Sequence, residues 1–198
     1  MQTDNSMQLK KELRTEKIKA RKMLLTSERE AFSLQIVERI CASEAFRKAN
    51  TIMLYRAVKG EVDLKKLEEI ALRMDKQLVY PLCISKHEMI ALLPKDENAW
   101  QSGFHGILEP IRERSVVIMP EQIDLVICPC TVFDEACNRM GMGAGFYDRY
   151  LPKCTNACVA AAAFEVQKAS TIARESWDRQ MDMIFTEKSV YKSVLSKQ

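Results

Sequence analysis

The sequence has few of the features that mark common catalytic or membrane-bound classes of protein. It contains two histidines and six glycines in 198 residues, and none of its apolar runs approaches the roughly 18 residues that a membrane-spanning helix needs. The N-terminal stretch MQTDNSMQLKKELR is polar and contains acids. Neither a secretory signal nor a transit peptide is therefore expected, and we expect a cytoplasmic protein of one domain that does not contact membranes.

Several catalytic signatures are also missing. His87 and His105 form no Ser-His-Asp or Cys-His pattern with other residues, and we interpret both as structural or surface side chains. No glycine is followed by the Lys-Ser/Thr pair of a Walker A loop, and the glycine spacing is not the GxGxxG of dinucleotide-binding folds. Catalysis through a protein nucleophile is thus not expected.

The cysteines have no CxxC spacing. There are seven: Cys41, Cys83, Cys128, Cys130, Cys137, Cys154 and Cys158. Most lie in apolar text such as LVICPC, which favours reduced thiols packed in the core of a cytosolic protein. A zinc site made by Cys128, Cys130 and Cys137 is the alternative, although no histidine lies near them in the sequence.

The excess positive charge is concentrated at the N-terminus. The net charge is +3, and residues 1–22 hold seven basic and three acidic side chains. Residues 8–25 lack glycine and proline and predict a helix, on whose wheel an apolar stripe lies beside a basic one. The apolar stripe, expected to face the core, is Leu9, Leu13, Ala20 and Leu24; the basic stripe is Lys10, Arg14, Lys17 and Arg21. The basic stripe is either a solvated face or a row of cations suited to a polyphosphate.

Apolar runs alternate with helical segments along the rest of the chain. Ser27 and Glu30 fit a capping box for a helix that ends near Cys41, and Asp63 is placed to cap another that ends near Asp75. Strands are predicted at 51–55, 77–83, 88–93, 123–129, 157–164 and 181–186, and a loop-rich segment at 94–122. The alanines of 157–164 leave a helix open as the alternative for that segment.

Continuous apolar strands separated by helices are typical of a mostly parallel sheet covered on both faces. We therefore predict one α/β domain over residues 1–198, with a Rossmann-like three-layer fold and helices on both faces of the sheet. Residues 1–7 are expected to be flexible, and residues 8–50 to form helices packed on the sheet.

Half of the glycines lie in one segment, RMGMGAGFYDRY (139–150). Alternating glycines let the backbone approach a ligand and leave N–H groups free to face it, and a helix predicted to begin near Gly145 favours an anion at its start. Arg139 could add a charge-assisted bond, and Asp148 could cap the helix or bind Mg²⁺. A phosphate-binding loop is one interpretation; a tight turn without a ligand is the other.

The longer segment NRMGMGAGFYDRYL (138–151) closely resembles the hallmark segment of the 5-formyltetrahydrofolate cyclo-ligases, also called methenyltetrahydrofolate synthetases. Four further segments resemble that family in the same order: KKELR (10–14), GEVD (60–63), FHGILEP (104–110) and WDRQMDMIFTE (177–187). The resemblance extends over about residues 8–190. It implies an enzyme that closes 5-formyltetrahydrofolate to 5,10-methenyltetrahydrofolate with ATP and Mg²⁺, releasing ADP and phosphate.

The resemblance also implies roles for single residues. Arg139 and Asp148 are the implied catalytic residues, and Asp148 and Asp182 the implied Mg²⁺ ligands. The implied ATP-binding residues are Lys10, Arg14, Arg139, Gly141, Met142, Gly143, Ala144, Gly145, Phe146 and Tyr147; the implied folate-binding residues are Arg56, Glu61 and Tyr147. An ordinary loop acid is the alternative for Glu61, and a solvated acid beside a strand for Asp182.

The segment also departs from the family pattern. Met142 and Ala144 stand where some relatives have basic or aromatic residues, and Phe146 stands where a tyrosine is common. With fewer cations in the loop, Lys10, Arg14 and Arg139 are expected to carry more of the charge of ATP.

Alternatives to this enzyme are a non-catalytic nucleic-acid or phospholigand binder that uses the basic helix, and an α/β transferase or isomerase that needs no ATP. For the cyclo-ligase we expect a monomer whose partner is a reduced folate, without nucleic acid.

Overall fold

The computed structural model describes residues 2–58, 60–103, 106–175 and 177–194, with side chains from residue 7 onward. Its helices are α1 (Gln2–Met23), α2 (Thr26–Ala42), α3 (Glu44–Lys48), α4 (Lys65–Arg73) and α5 (Phe146–Tyr150). Its strands are β1 (Thr51–Met53), β2 (Gln77–Cys83), β3 (Met89–Pro94), β4 (Trp100–Ser102), β5 (Leu108–Pro110), β6 (Ser115–Ile118), β7 (Leu125–Pro129), β8 (Val132–Phe133), β9 (Arg139–Met140), β10 (Cys158–Ala162), β11 (Met183–Phe185) and β12 (Val190–Lys192). Within these ranges, no helix is long and apolar enough to cross a bilayer.

The centre of the fold is an eight-stranded sheet with the strand order β12-β11-β10-β7-β1-β2-β3-β6. Strands β2, β1, β7, β10 and β11 are parallel, whereas β3, β6 and β12 join antiparallel at the edges. In β7 and β10, for example, Val126 pairs with Val159 and Pro129 with Ala162. The predicted α/β fold with a mostly parallel sheet is confirmed.

Both faces of the sheet are buried, because successive strand residues point to opposite sides. On one face, Ile127 of β7 belongs to a cluster with Ile36 of α2 and Leu67 of α4. On the other face, Cys128 clusters with Tyr150 of α5. Burial on both sides explains why the strands are continuously apolar in the sequence.

The chain leaves β1 and β7 in opposite directions. From β1 it passes through α4 to β2, and from β7 it passes through α5 to β10, on the other side of the sheet. In open α/β sheets, such a switch opens a crevice at the carboxyl ends of the two strands, where ligands bind. The residues that follow Met53 and Pro129 therefore border the expected site.

One detail of the sequence prediction is wrong. The helix α2 is not capped by Ser27 with Glu30; the backbone N–H of Leu25 donates instead to Glu28 Oε2 (2.7 Å), two residues earlier in each case. The segment 94–122, predicted to be loop-rich, also contains Ser115–Ile118, which pairs with β3 as the edge strand β6.

Two other details are as predicted. Asp63 accepts a hydrogen bond from the N–H of Lys65 (2.9 Å) at the start of α4. The alanine-rich segment 157–164 contains β10, which pairs with β7 and β11. Pairing with strands on both sides outweighs the helical propensity of its alanines.

Helix α1 faces the rest of the protein with its basic stripe. Leu9, predicted to face the core, is 57% exposed, whereas Arg21 is 4% exposed. Leu13 and Leu24 of the apolar stripe pack at the margins of the core clusters. A helical wheel gives the angle between two residues but not the side on which the protein body lies, so the sequence could not decide between the two stripes.

Candidate active site

The glycine segment forms a loop beyond the carboxyl end of β7. After the short hairpin of β8 and β9, the chain turns through residues 141–145 into α5. Gly143 and Gly145 have φ angles of +109° and +68°, in the left-handed region that strains other residues. A Cβ atom on Gly145 would lie 2.7 Å from Arg149 Nη1. Glycine is therefore required at these two positions for the turn itself.

Arg149 fixes the outer side of this loop. Its Nη2 donates to the carbonyl oxygen of Ala144 (2.8 Å), and its Nε donates to the carbonyl oxygen of His87 (2.9 Å) in the turn between β2 and β3. The two bonds tie the loop to that turn. Sequence reasoning gave Arg149 no role, because the partner turn is remote in the chain.

Arg139 lies beneath the loop with a side chain that is 2% exposed. Its Nη1 donates to the carbonyl oxygen of Pro129 (3.0 Å), and its Nη2 donates to Asp148 Oδ1 (3.2 Å). The ring of Tyr147 lies 5.5 Å from the guanidinium carbon. Arg139 thus links the end of β7 to α5 and holds Asp148 in place.

Helix α1 brings two predicted cations to the same place. Arg14 Nε donates to the carbonyl oxygen of Gly141 (3.0 Å). Lys10 Nζ forms ion pairs with Glu175 Oε1 (3.2 Å) and Asp178 Oδ2 (3.3 Å). The N-terminal helix and the glycine loop therefore form opposite walls of one site.

These walls enclose a cavity of about 720 Å³. The predicted nucleotide-binding residues all line it, namely Lys10, Arg14, Arg139, Gly141, Met142, Gly143, Ala144, Gly145, Phe146 and Tyr147. Asp148 and Asp178 line it as well. Cations, backbone and two carboxylates at one cavity form a suitable environment for a polyphosphate with its metal ion.

Asp182, predicted as a partner of Asp148, does not line this cavity, so the structure does not bring the two acids together there. Its backbone N–H donates to the carbonyl oxygen of Val159 (2.7 Å), and its Oδ2 accepts from the N–H of the same residue (2.8 Å). Val159 lies in the first half of β10, whereas the cavity lies at the carboxyl ends of the strands. Asp182 therefore caps the start of β11, and Asp178, four residues earlier, is the acid that reaches the cavity.

A second cavity, of about 760 Å³, lies beside the first. Tyr55, Arg56 and Glu61 line it from the segment after β1, and Arg21 lines it from α1. Ile107 and Met142 line both cavities. The two cavities therefore adjoin at these two side chains.

Arg56 is held in a fixed orientation on the wall of the second cavity. Its Nη1 donates to Glu68 Oε2 (2.7 Å), and its guanidinium carbon lies 4.2 Å from the ring centre of Trp100 and 4.7 Å from that of Tyr80. The hydroxyl of Tyr80 donates to the other oxygen of Glu68 (2.6 Å). The proximity of β2 to the β4–β5 hairpin brings these groups together, which no local pattern in the sequence indicates.

Glu61 is a buried acid with few neighbours of opposite charge. Its Oε2 accepts from the N–H of Val58 (3.2 Å), and its Oε1 lies 3.8 Å from Arg21 Nη1. Burial raises the pKa of Glu61 above its ordinary value, while the Val58 N–H and the Arg21 guanidinium act in the opposite direction. An acid with this environment in a cavity is a candidate for ligand binding.

Arg21 and Asp178 are the site residues that sequence reasoning missed. Arg21 stands on the same stripe as Lys10 and Arg14, about two turns beyond Arg14 and three beyond Lys10, so its position there was a usable signal. Asp178 lies in the segment WDRQMD, which offers two acids, and the sequence alone favours neither. The residue His105 lies outside the described residues, as does Phe104.

The donor groups of the first cavity fit Mg²⁺ better than zinc. Mg²⁺ prefers one or two carboxylates together with substrate phosphates, which Asp148 and Asp178 could provide. Within the described ranges, no group of three or more His, Cys, Asp or Glu residues has the arrangement of a metal site. All seven cysteines are free thiols, and burial raises the pKa of Cys128 and Cys130 to about 12.

Comparison with known proteins agrees with this geometry. The family model described as the 5-formyltetrahydrofolate cyclo-ligase family matches residues 6–187. A 5-formyltetrahydrofolate cyclo-ligase from Haemophilus influenzae is 27% identical over 175 residues, which cover 86% of this chain and 94% of that protein.

Two solved structures are also similar over nearly the whole chain. The 5,10-methenyltetrahydrofolate synthetase of Aquifex aeolicus is 28% identical with a TM-score of 0.83, covering 96% of this chain and 95% of that one. The 5,10-methenyltetrahydrofolate synthetase of Mycoplasma pneumoniae is 27% identical with a TM-score of 0.75, covering 90% and 98%. With a family model that spans most of its length, this chain belongs to the 5-formyltetrahydrofolate cyclo-ligase family.

Proposed function

We propose that the chain catalyses the ATP-dependent closure of 5-formyltetrahydrofolate to 5,10-methenyltetrahydrofolate, with release of ADP and phosphate. The observation that carries this proposal is the pair of adjoining cavities. One is lined by Lys10, Arg14 and the glycine loop, the other by Arg56 and Glu61, and they share Ile107 and Met142. A reaction that joins a nucleotide phosphate to a second substrate needs two sites that meet.

The chemistry requires positioning more than a protein nucleophile. The formyl oxygen of the folate takes the γ-phosphoryl group of ATP, which converts a poor leaving group into a good one. N10 of the folate then attacks the formyl carbon, the ring closes, and phosphate leaves with that oxygen. Holding the reacting atoms together and neutralising the phosphates supplies most of the catalysis in such transfers.

In the nucleotide cavity, the proposed phosphate contacts are Lys10, Arg14 and the backbone of the glycine loop. Arg14 donates a hydrogen bond to the carbonyl oxygen of Gly141 in this loop. Helix α1 and the loop are therefore linked at the proposed phosphate site. Lys10 is paired with Asp178. Phosphate oxygens would be the new partners of Lys10, since an ammonium forms charge-assisted bonds with them.

We propose Asp148 and Asp178 as the residues that hold Mg²⁺ with the nucleotide. When bound, the ion would neutralise charge on the phosphates. Arg139 keeps Asp148 at the end of β7, and the backbone N–H of Glu175 donates to Asp178 Oδ2 (2.8 Å). Both carboxylates are thus oriented by contacts with neighbouring residues.

In the second cavity, we propose that Glu61 accepts hydrogen bonds from the amino and ring N–H groups of the pterin. Arg56 would bind beside it, with its guanidinium fixed by Glu68 and the two aromatic rings. Tyr147 lines the nucleotide cavity. We propose that it contacts the folate where the cavities adjoin.

The test is direct. Purified protein is incubated with 5-formyltetrahydrofolate, ATP and Mg²⁺, and the near-UV absorbance of the methenyl product is followed. We expect product that requires ATP. Product without nucleotide would favour a transferase or isomerase instead, and no product would refute the proposal.

The alternative of a nucleic-acid binder receives no support from the geometry. Lys10, Arg14 and Arg21 are directed at the glycine loop and the two cavities. A protein that binds phosphate backbones would present such cations on an open surface.

A further inference from the structure

Arg21 is an unusual residue for the inner side of an N-terminal helix. Its side chain is 5% exposed and that of Glu61 is 8% exposed. Nη1 donates to the carbonyl oxygen of Cys130 (3.4 Å) and lies 3.8 Å from Glu61 Oε1. The buried Nε atom has no hydrogen-bond partner among the described residues. A buried ion pair of this kind contributes little to stability compared with apolar packing. Stability alone therefore does not account for a buried arginine at this position.

We infer that Arg21 is a positioning residue for the folate, whose guanidinium holds the Glu61 carboxylate ionised and oriented for the pterin. This inference rests on the proposed function. Arg21 contacts Glu61 on Oε1, and the N–H of Val58 contacts it on Oε2. The carboxylate is therefore held from both sides while it lines the cavity. Arg21 acts through Glu61, and its unpartnered Nε offers a further donor at the same wall.

The charged side chains of Lys22, Arg56, Asp63, Lys65 and Glu68 line the same cavity as this pair. Tyr55, Tyr147 and Cys130 interact electrostatically with Glu61 from the segments after β1, in α5 and after β7. Burial raises the pKa of each tyrosine well above the ordinary tyrosine value. Burial also raises the pKa of Cys130 to about 12, so all three groups are neutral near pH 7. The hydroxyl of Tyr55 donates to the carbonyl oxygen of Val62 (3.0 Å). Arg21 is thus the cation that these contacts place beside Glu61.

Loss of Arg21 should have a consequence that depends on pH. Burial already raises the pKa of Glu61, and the positive charge of Arg21 opposes that effect. Without Arg21 the pKa of Glu61 should rise further. Since the ionised carboxylate is the form that accepts hydrogen bonds, folate binding should weaken as the pH falls through that pKa, and in the variant this weakening should begin at a higher pH.

The experiment compares Arg21→Gln and Arg21→Lys with a matched control, Lys19→Gln, on the exposed side of the same helix. The KM for 5-formyltetrahydrofolate, the KM for ATP and kcat are measured from about pH 5.5 to 8.5, a range that lies above the ordinary glutamate pKa of about 4.3. For Arg21→Gln we expect the folate KM to rise about tenfold, because Glu61 loses the cation that lies 3.8 Å from its Oε1 and favours its ionised form. The ATP KM should stay within about twofold, and the pH profile of the folate KM should move upward.

Arg21→Lys keeps the charge and should keep the wild-type pH profile, with a smaller rise in folate KM. Lys19→Gln should match the wild type. A wild-type folate KM and pH profile in Arg21→Gln would overturn the inference. So would an equal rise of both KM values with a lower melting temperature, because that result shows a structural role. If Arg21→Gln does not fold, Arg21→Lys decides, and an unchanged folate KM in that variant refutes the inference.

Calorimetric titration with 5-formyltetrahydrofolate in the absence of ATP separates this inference from the proposed function. Wild-type protein that binds the folate but makes no product would refute the function, while the ratio of dissociation constants for Arg21→Gln and wild type would still decide the role of Arg21. Wild-type protein that does not bind the folate would refute both.

Discussion

The most informative prediction concerns the two acids of the segment WDRQMD, because sequence and structure choose different ones. Asp178 lines the nucleotide cavity and pairs with Lys10. Asp182 accepts from the N–H of Val159. We predict that Asp178→Asn loses ATP-dependent product formation with an unchanged fold, whereas Asp182→Ala loses stability with unchanged activity.

The size of each effect follows from the contacts. Removing one group that stabilises transferred charge lowers kcat about a hundredfold or more, so Asp178→Asn should fall at least that far. Its ion pair with Lys10 is partly exposed and contributes about 0–1 kcal/mol, so the melting temperature should change little. Asp182→Ala leaves the buried N–H of Val159 unpaired, which costs about 1–3 kcal/mol. For a domain of this size that lowers the melting temperature by about 2–12 °C.

The assays are thermal unfolding followed by circular dichroism, and product absorbance measured well below the melting temperature. Asp182→Asn serves as a control, because its amide oxygen can still accept from Val159 and should restore most of the stability. The opposite result would be loss of activity in Asp182→Ala at an unchanged melting temperature, together with full activity in Asp178→Asn. That result would show that Asp178 is the wrong choice of acid for the cavity.

Three further predictions follow from the site. Asp148→Asn should retain the circular dichroism spectrum of the wild type but make no ATP-dependent product; activity near the wild-type value would contradict the role of Asp148. In Gly145→Ala the alanine must adopt a φ of +68°, which costs about 1–2 kcal/mol, so the KM for ATP should rise about 5- to 30-fold. Gly60→Ala is the control: it is strained at φ +84° but lies outside the loop, and it should leave the KM for ATP unchanged. Trp100→Leu removes the aromatic ring whose centre lies 4.2 Å from the Arg56 guanidinium carbon. Steady-state kinetics should show a folate KM raised about 2- to 30-fold and an unchanged KM for ATP. Equal changes in both KM values would indicate general unfolding.

Much of the fold could be predicted because burial on both faces leaves a direct record in the sequence. The runs that became β7 and β10 are apolar at every position, and only a mostly parallel sheet covered on both sides buries such strands. The edge strand β6 could not be predicted in the same way. Val116 and Val117 are 45% and 44% exposed, and the strand exists because β3 offers a hydrogen-bonding edge.

The glycine loop is the part of the site that the sequence specified by itself. Gly143 and Gly145 adopt left-handed backbone angles, and glycine is the residue that does so without strain. The loop also carries Arg139 and Asp148 within a few residues, so their pairing at 3.2 Å is close to a local property of the chain.

The tertiary structure decided which distant side chains join that loop. The wheel of α1 placed Lys10, Arg14 and Arg21 on one stripe, but only packing directed the stripe inward, toward Gly141, Asp178 and Glu61. Likewise, only the path of the chain into β11 left Asp178 at the cavity and drew Asp182 into the backbone pairing with Val159. Local sequence patterns thus determined the strands and the glycine turn, because these depend on neighbouring residues. Which of several similar charged side chains reaches the cavities depends on contacts between segments far apart in the chain, and these contacts form only in the folded protein.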